Sequence, residues 1–317
     1  MSHTDSSGLI LLNKPPGITS FDALRDIKRF LGTGKVGHTG TLDKFAQGLL
    51  LVLAGSALKL VPWFTHCDKQ YTGRIRFGIE TDTLDPQGEQ IARADIPSRE
   101  EAEKALAGFS GGIMQTPPAY SAIHINGKRA SELARSGQIL EMKQRQVNIY
   151  KLELRLWEPP FADIFVHCSS GTYIRSLARD IAIAAGSRGH LVSLVRTQVS
   201  GFKLPDGNEQ LETGTDFPLP GLYSLLPINK DVIKTLGLPW FELAPCDAEK
   251  LIHGRFLDPI LNDRPLFSCA HQQVNSLPNM HAAVFCGETL TAVVSKKDGK
   301  WKYGCVFAEK LPILADS

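Results

Sequence analysis

The sequence predicts an α+β chain in two domains. Three observations carry this. Short apolar or alternating runs that read as strands recur through the first two hundred residues, interleaved with segments of helical periodicity. Residues 201–227 are rich in proline and glycine and lack period, which marks a boundary. Beyond it the pattern turns to β, with three strand-like runs closing the chain. The expected division is 1–226 and 227–317.

Gly8 to Asn13 is a short apolar run, read as a buried strand and ended by Lys14-Pro15-Pro16-Gly17. Thr19 or Ser20 then caps a helix to Leu31, with Phe21, Leu24, Ile27 and Leu31 as its apolar stripe and Arg25, Lys28 and Arg29 on the other face. Gly32, Gly34 and Gly37 spell G-x-G-x-x-G, but they follow a helix rather than a strand, so the dinucleotide reading fails.

The stretch Gly34 to Leu50 holds four glycines, His38, Thr39, Thr41, Gln47 and a single acid, Asp43. Leu49 to Leu53 after it reads as a fully buried strand. An aspartate on such a loop is either a turn residue satisfying its own backbone or an acid held at the mouth of a pocket. A helix is expected over Ser56–Phe64, carrying Lys59, and a strand over Tyr71–Phe77 with Arg74 and Arg76 on one face. Thr81 to Gly88 is a polar loop, and Ser98-Arg99-Glu100-Glu101 is a capping box opening a helix.

Between Tyr120 and Tyr150 five Lys or Arg stand against two Glu, with a short helix between Gly127 and Gly137. Either a basic hairpin gripping phosphates or an ordinary surface excursion fits this. Strands are expected over Leu152–Leu156, Phe161–Cys168 and Leu191–Val199. Ile174, Leu177, Ala178 and Ile181 form the inner stripe of a helix that also carries Arg175 and Arg179. In the second domain, Asp247–His253 reads as a helix and Leu261–Asn279 as an insertion. Ala282–Phe285, Thr289–Ser295 and Lys302–Phe307 read as strands, with a hairpin turn at Lys297-Asp298-Gly299.

Composition excludes several classes. The 317 residues, 43% hydrophobic and 21% charged, suit a globular chain with a large core. No apolar run approaches the roughly 20 residues of a membrane span. The polar N-terminus lacks the build of a signal peptide, so a cytoplasmic location is expected, without membrane contact. Six scattered cysteines without a Cys-x-x-Cys pair, and nine histidines without ligand spacing, argue against a metal and against a disulfide framework. A net charge of +2 says nothing for or against nucleic acid, so any RNA footprint has to be local.

Gly37-His38-Thr39-Gly40-Thr41-Leu42-Asp43, followed by Ala46-Gln47-Gly48-Leu49-Leu50, resembles the signature of the TruB family of tRNA pseudouridine synthases. The resemblance covers about Gly8 to Gly201, with several motifs in the family's order. It implies the pseudouridine synthase fold, a mixed and mainly antiparallel sheet with flanking helices, followed by a small β-barrel-like, PUA-like RNA-binding domain. It implies isomerisation of uridine 55 of the tRNA T loop on a flipped-out base, with no cofactor and no metal. The tRNA T-arm is the expected partner, bound by a monomer with no protein partner.

By the same resemblance Asp43 is the nucleophile, Tyr71 of Lys69-Gln70-Tyr71 stacks on the base and handles protons, and Arg175 of Gly171-Thr172-Tyr173-Ile174-Arg175 pairs with Asp43 and keeps it ionised. Asp85 contacts substrate, Leu194 lines the base pocket, and His38 fills the stack vacated by the base. Lys59 and Lys14 join the RNA-binding candidates, although packing is the plainer reading of Lys14. Residues 115–150 match the thumb loop, with His124 where lysine is usual. Lys44 stands where the family has proline, and Gln47 where threonine is common. Two other readings are open to the residues alone. One is a non-catalytic tRNA-binding or folding factor. The other is a nucleoside glycosidase using Asp43, for which the sequence offers no paired acid.

Overall fold

The computed structural model describes residues 7–125, 127–138, 141–204, 224–268 and 279–307. A nine-stranded sheet organises the first part. Its main strands are β1 (Gly8–Lys14), β2 (Gln47–Ala54), β3 (Lys69–Phe77), β4 (Gly111–Gln115), β5 (Arg145–Glu158), β6 (Phe161–Cys168) and β7 (Gly189–Val199). They lie in the order β1-β2-β7-β3-β6-β5-β4, with Val36–His38 added beside β2 and Phe202–Lys203 beside β7. Only β7 and β2 run parallel; the other pairings are antiparallel. The mixed, mainly antiparallel sheet is therefore present.

Three helices pack against one face of it. α1 (Ser20–Leu31) opens on a capping box between Thr19 and Asp22, and α2 (Arg99–Ala107) on one between Ser98 and Glu101. α3 (Ala130–Arg135) lies in the basic segment, and α4 (Ile174–Ala184) packs Leu177, Ala178 and Ile181 into the core. The expected stripe of α1 is turned: Phe21 is 69% exposed, and Ala23, Leu24 and Ile27 are buried. Ser20 hydrogen-bonds both backbone groups of Leu42, which fixes the rotation of the helix. The helix expected over Ser56–Phe64 is a 3-10 turn, Gly55–Leu60, and then a short α-helix, Val61–Thr65. Pro62 lacks the N–H that would continue the first pattern into the second.

Strand β2 is buried on both faces, as its unbroken apolar run requires. Leu50 and Val52 meet α1 and α4. Leu49, Leu51 and Leu53 point the other way, into a second core. That second core is shared with the C-terminal part. Val232, Ile233 and Leu236 of α5 (Lys230–Leu236), Trp240 of β8 (Trp240–Glu242), and Phe285 and Val293 join Leu9, Trp63 and Phe64 in it.

α6 (Pro245–Ile252) packs with β9 (Met280–Cys286), β10 (Thr289–Lys297) and β11 (Lys300–Val306) around a third, smaller cluster. The sheet order is β8-β9-β10-β11, and the described residues form no closed barrel. The expected hairpin turn is there: Asp298 and Gly299 both take positive φ, 51° and 75°, as a two-residue primed turn demands. Most of the expected boundary (205–223) and insertion (269–278) lies outside the described residues.

Candidate active site

Residues 39–46 form a loop between two strands of the same sheet, fastened at several points. Thr39 N–H donates to Leu51 (3.0 Å), Gly17 N–H to the Lys44 carbonyl (2.7 Å), and Ala46 N–H to the Asp43 carbonyl (3.1 Å). Gly48, where the loop rejoins β2, has φ +107°, and a Cβ there would stand 2.4 Å from the Arg196 carbonyl oxygen. Only glycine fits so close an approach.

Asp43 leaves this loop facing Arg175 of α4. The guanidinium binds its carboxylate at two points, Nε to Oδ2 at 2.9 Å and Nη2 to Oδ1 at 3.0 Å. Arg175 is 4% exposed and donates further to the carbonyls of Thr83 (2.7 Å) and Tyr120 (2.9 Å) and to Asp85 Oδ2 (3.4 Å). A planar fork with five donors fits this set, and a lysine would not. Burial pushes the Asp43 carboxyl above its ordinary value, and Asp85 adds to the push. Arg175 and Lys14 pull it back. The expected lowering by Arg175 is thus real but outweighed by desolvation. Asp85 has both oxygens engaged, taking Arg175 on one and Thr83 Oγ1 (2.7 Å) and Gln87 N–H (3.0 Å) on the other. It is a second anchor for Arg175.

A cleft of about 470 Å³ opens over the pair, with Asp43, Tyr71, Arg175 and Leu194 all in its lining. Tyr71 comes from the alternating face of β3 and Leu194 from β7, two strands paired through Leu194 opposite Gly73. Burial pushes the Tyr71 phenol up to about 12. The basic segment supplies the opposite wall, through Tyr120, Arg129 and Arg145. Arg145 lies 4.5 Å over the Tyr173 ring and donates to the Gly171 carbonyl. One acid, three phenols and an aliphatic wall among several cations suit a flat polar ring attached to an anionic backbone.

Four sequence candidates stand outside this lining: Asp85, behind Arg175, and His38, Lys14 and Lys59. His38 is half-buried beside β2, and its Nδ1 has no partner among the described residues. Burial, with Arg196 nearby, holds its imidazole below the ordinary value. Lys14 is fully buried, donates to the carbonyls of Pro15 (2.8 Å) and Ile18 (2.9 Å), and is pulled down to about 8 by burial. It braces the turn that meets the Asp43 loop, so it is a packing lysine. Lys59 belongs to the C-terminal interface, donating to the Val306 carbonyl (2.7 Å) beside the Phe307 ring.

Two lining residues escaped the sequence reading. Lys69, pulled down to about 8 by burial, donates to the carbonyls of Thr65 and Cys67. Arg196, 2% exposed, binds loop carbonyls. The Lys69-Gln70-Tyr71 motif held a signal for the first. A cation inside an otherwise buried strand was the signal for the second.

A model of the TruB family pseudouridylate synthase N-terminal domain matches residues 28–174. A tRNA pseudouridine synthase B of Borreliella burgdorferi is 44% identical over 230 residues, 71% of this chain and 82% of that protein. The chain belongs to the TruB family. A tRNA pseudouridine synthase B of Francisella tularensis subsp. tularensis is 45% identical over 287 residues, 80% of this chain and 95% of that one. Among solved structures, a chain in the crystal structure of a Cbf5-Nop10-Gar1 complex superposes with a TM-score of 0.68 at 22% identity, covering 95% of this chain and 85% of that one. At that identity the likeness speaks for the fold alone, and it agrees with the α+β architecture of this TruB-family chain.

Proposed function

We propose that this chain isomerises a uridine of tRNA to pseudouridine, with uridine 55 of the T loop as its target and Asp43 as its nucleophile. Membership of the TruB family and the names of its relatives support the reaction. The observation that carries the assignment of roles is the two-point Asp43–Arg175 pair at the cleft, with Tyr71 and Leu194 in the same lining.

In the reaction the N1–C1′ bond breaks and a C5–C1′ bond forms. The C5 proton leaves and N1 gains one, so no electrons are exchanged. The Asp43 carboxylate attacks the extruded nucleotide, the uracil turns in the cleft, and the carboxylate departs. Arg175 orients that carboxylate and stabilises its charge. Tyr71 stacks on the uracil and serves the proton transfer at C5, while Leu194 packs against the ring. The cleft suits a base taken out of an RNA loop, where unstacking costs least.

Residues 1–226 then carry the chemistry, and residues 227–317 act as a PUA-like RNA-binding module. The division is one of roles, because both parts pack into one core. The cations at 128, 129, 135, 143 and 145 grip the T-arm backbone as a thumb.

The test treats a T-arm RNA with the wild-type protein and with Asp43→Asn. Pseudouridine from the first and none from the second is expected, with RNA affinity changed less than about tenfold, since the amide keeps the shape and loses the nucleophile. Unchanged RNA from wild type would favour a binding factor, an abasic site a glycosidase, and pseudouridine from Asp43→Asn another nucleophile.

A further inference from the structure

Arg175 holds the Asp43 side chain, but something else holds the backbone that presents it. The Gly40 and Thr41 carbonyls accept from strand β7. There the Arg196 guanidinium meets three carbonyls: Leu49 through Nε (2.7 Å), Gly40 through Nη2 (3.1 Å) and Thr41 through Nη1 (3.5 Å). Its own backbone lies against Gly48 in the parallel pairing of β7 with β2. On its other side Arg196 stands opposite Tyr71 in the β7–β3 register, and the two side chains line the same cleft. One buried side chain therefore touches both ends of the Asp43 loop and stands beside the strand position that carries the phenol.

We propose that Arg196 is a positioning residue that sets Asp43 and Tyr71 against each other, holding the loop by its carbonyls and the phenol by its hydroxyl. The proposal rests on the roles given to Asp43 and Tyr71 above. A guanidinium is needed because its donors spread in a plane and reach acceptors on separate strands. An ammonium gathers its donors at one point on a shorter stem. Arg196 needs no contact with substrate for this. With the phenol oxygen fixed by a donor from Arg196, the hydroxyl proton is directed elsewhere, and the cleft is the open side.

A residue that merely held the fold together would slow Tyr71→Phe and wild type alike. A residue acting through Tyr71 would not. Single-turnover rates on a T-arm RNA are therefore compared for wild type, Arg196→Lys, Tyr71→Phe and the double variant. Arg196→Lys is expected to be slower by about 100-fold, the loss typical of a displacement near one ångström, with RNA affinity within about threefold. The double variant should be no more than about threefold slower than the slower single, because the two changes remove one unit. Losses that multiply, or an Arg196→Lys enzyme at the wild-type rate, overturn the proposal.

Nuclear magnetic resonance of ¹⁵N-arginine-labelled protein decides the same question without activity. It covers an Arg196→Lys chain that fails to fold and a wild type that makes no pseudouridine, which would defeat the function proposed above. The guanidinium signal absent from Arg196→Gln, or the one most slowly exchanging with solvent in the wild type, should shift when Tyr71 becomes phenylalanine. A signal that stays in place shows that Arg196 does not hold the hydroxyl, and the proposal falls.

Discussion

Replacing Arg175 by methionine is the most informative single perturbation of the cleft. The change keeps the stem and removes five hydrogen bonds, two to Asp43, one to Asp85 and two to the carbonyls of Thr83 and Tyr120. Breaking a buried ion pair from one side costs about 3–5 kcal/mol, because the remaining charge keeps its desolvation penalty. Here two carboxylates are stranded. Asp85 is 9% exposed at its side chain and Asp43 35%, so water relieves part of the penalty at Asp43. We therefore expect a loss of about 3 kcal/mol near pH 8, at the lower end of that range.

The loss depends on pH, and the sign follows from linkage. Burial already raises the Asp43 carboxyl in the folded protein, with Arg175 the strongest opposing influence. An acid raised on folding binds its proton more readily in the folded state, so stability falls as pH rises from its unfolded to its folded value. Without Arg175 that window extends upward. The penalty should thus be largest at pH 8 and shrink toward pH 4, where Asp43 takes up a proton. Urea unfolding of both proteins at pH 8, 6 and 4 measures it. An equal penalty at every pH, or none, would show that the carboxylates do not depend on this guanidinium.

Lys14→Met tests the buried lysine. A lysine pulled down to about 8 from 10.5 makes stability rise with pH between those values, since the unfolded chain then binds more protons. Urea unfolding from pH 8 to 10 should show a flatter dependence in the methionine variant than in wild type, and parallel curves would refute this. Lys44→Pro should keep most of its turnover, because Lys44 is anchored through its carbonyl and its charge acts on Asp22 of the α1 cap. If the lysine also meets phosphate, the slope of log affinity against log salt flattens by about 0.7–1, and an unchanged slope confines its charge to the cap. Deleting residues 228–317 would bare Leu9, Leu49, Leu51, Leu53, Trp63 and Phe64. The shortened chain is expected to aggregate or unfold at room temperature, and a soluble fragment with a cooperative melt would contradict the shared core.

Local order was open to sequence reading. The capping boxes at Thr19 and Ser98, the strand at Leu49–Leu53 and the Asp298-Gly299 turn follow from neighbours a few residues apart, whose chemistry leaves little choice. The Asp43 loop was legible for the same reason, its glycines and lone acid standing in one short stretch. Partnership was not. Arg175 and Arg179 sit one helical turn apart and look alike in sequence, yet one is buried against two carboxylates and the other bonds its neighbour Asp180. Neither the bond of Lys59 to the Val306 carbonyl in the C-terminal sheet nor the contact of Arg175 with Asp85, 90 residues away in sequence, could be read from neighbours in the chain.

The sequence by itself determined where the strands, caps and turns fall and which acid stands alone on a glycine-rich loop, because these are settled by short-range sterics and hydrogen bonding. Only the tertiary structure decided that Arg196 grips that loop, that Lys14 is sealed beneath it, and that residues 227–317 share a core with β1 and β2. Each depends on strands brought together from distant parts of the chain, and burial then turns an ordinary cation into one that must find carbonyls or a carboxylate.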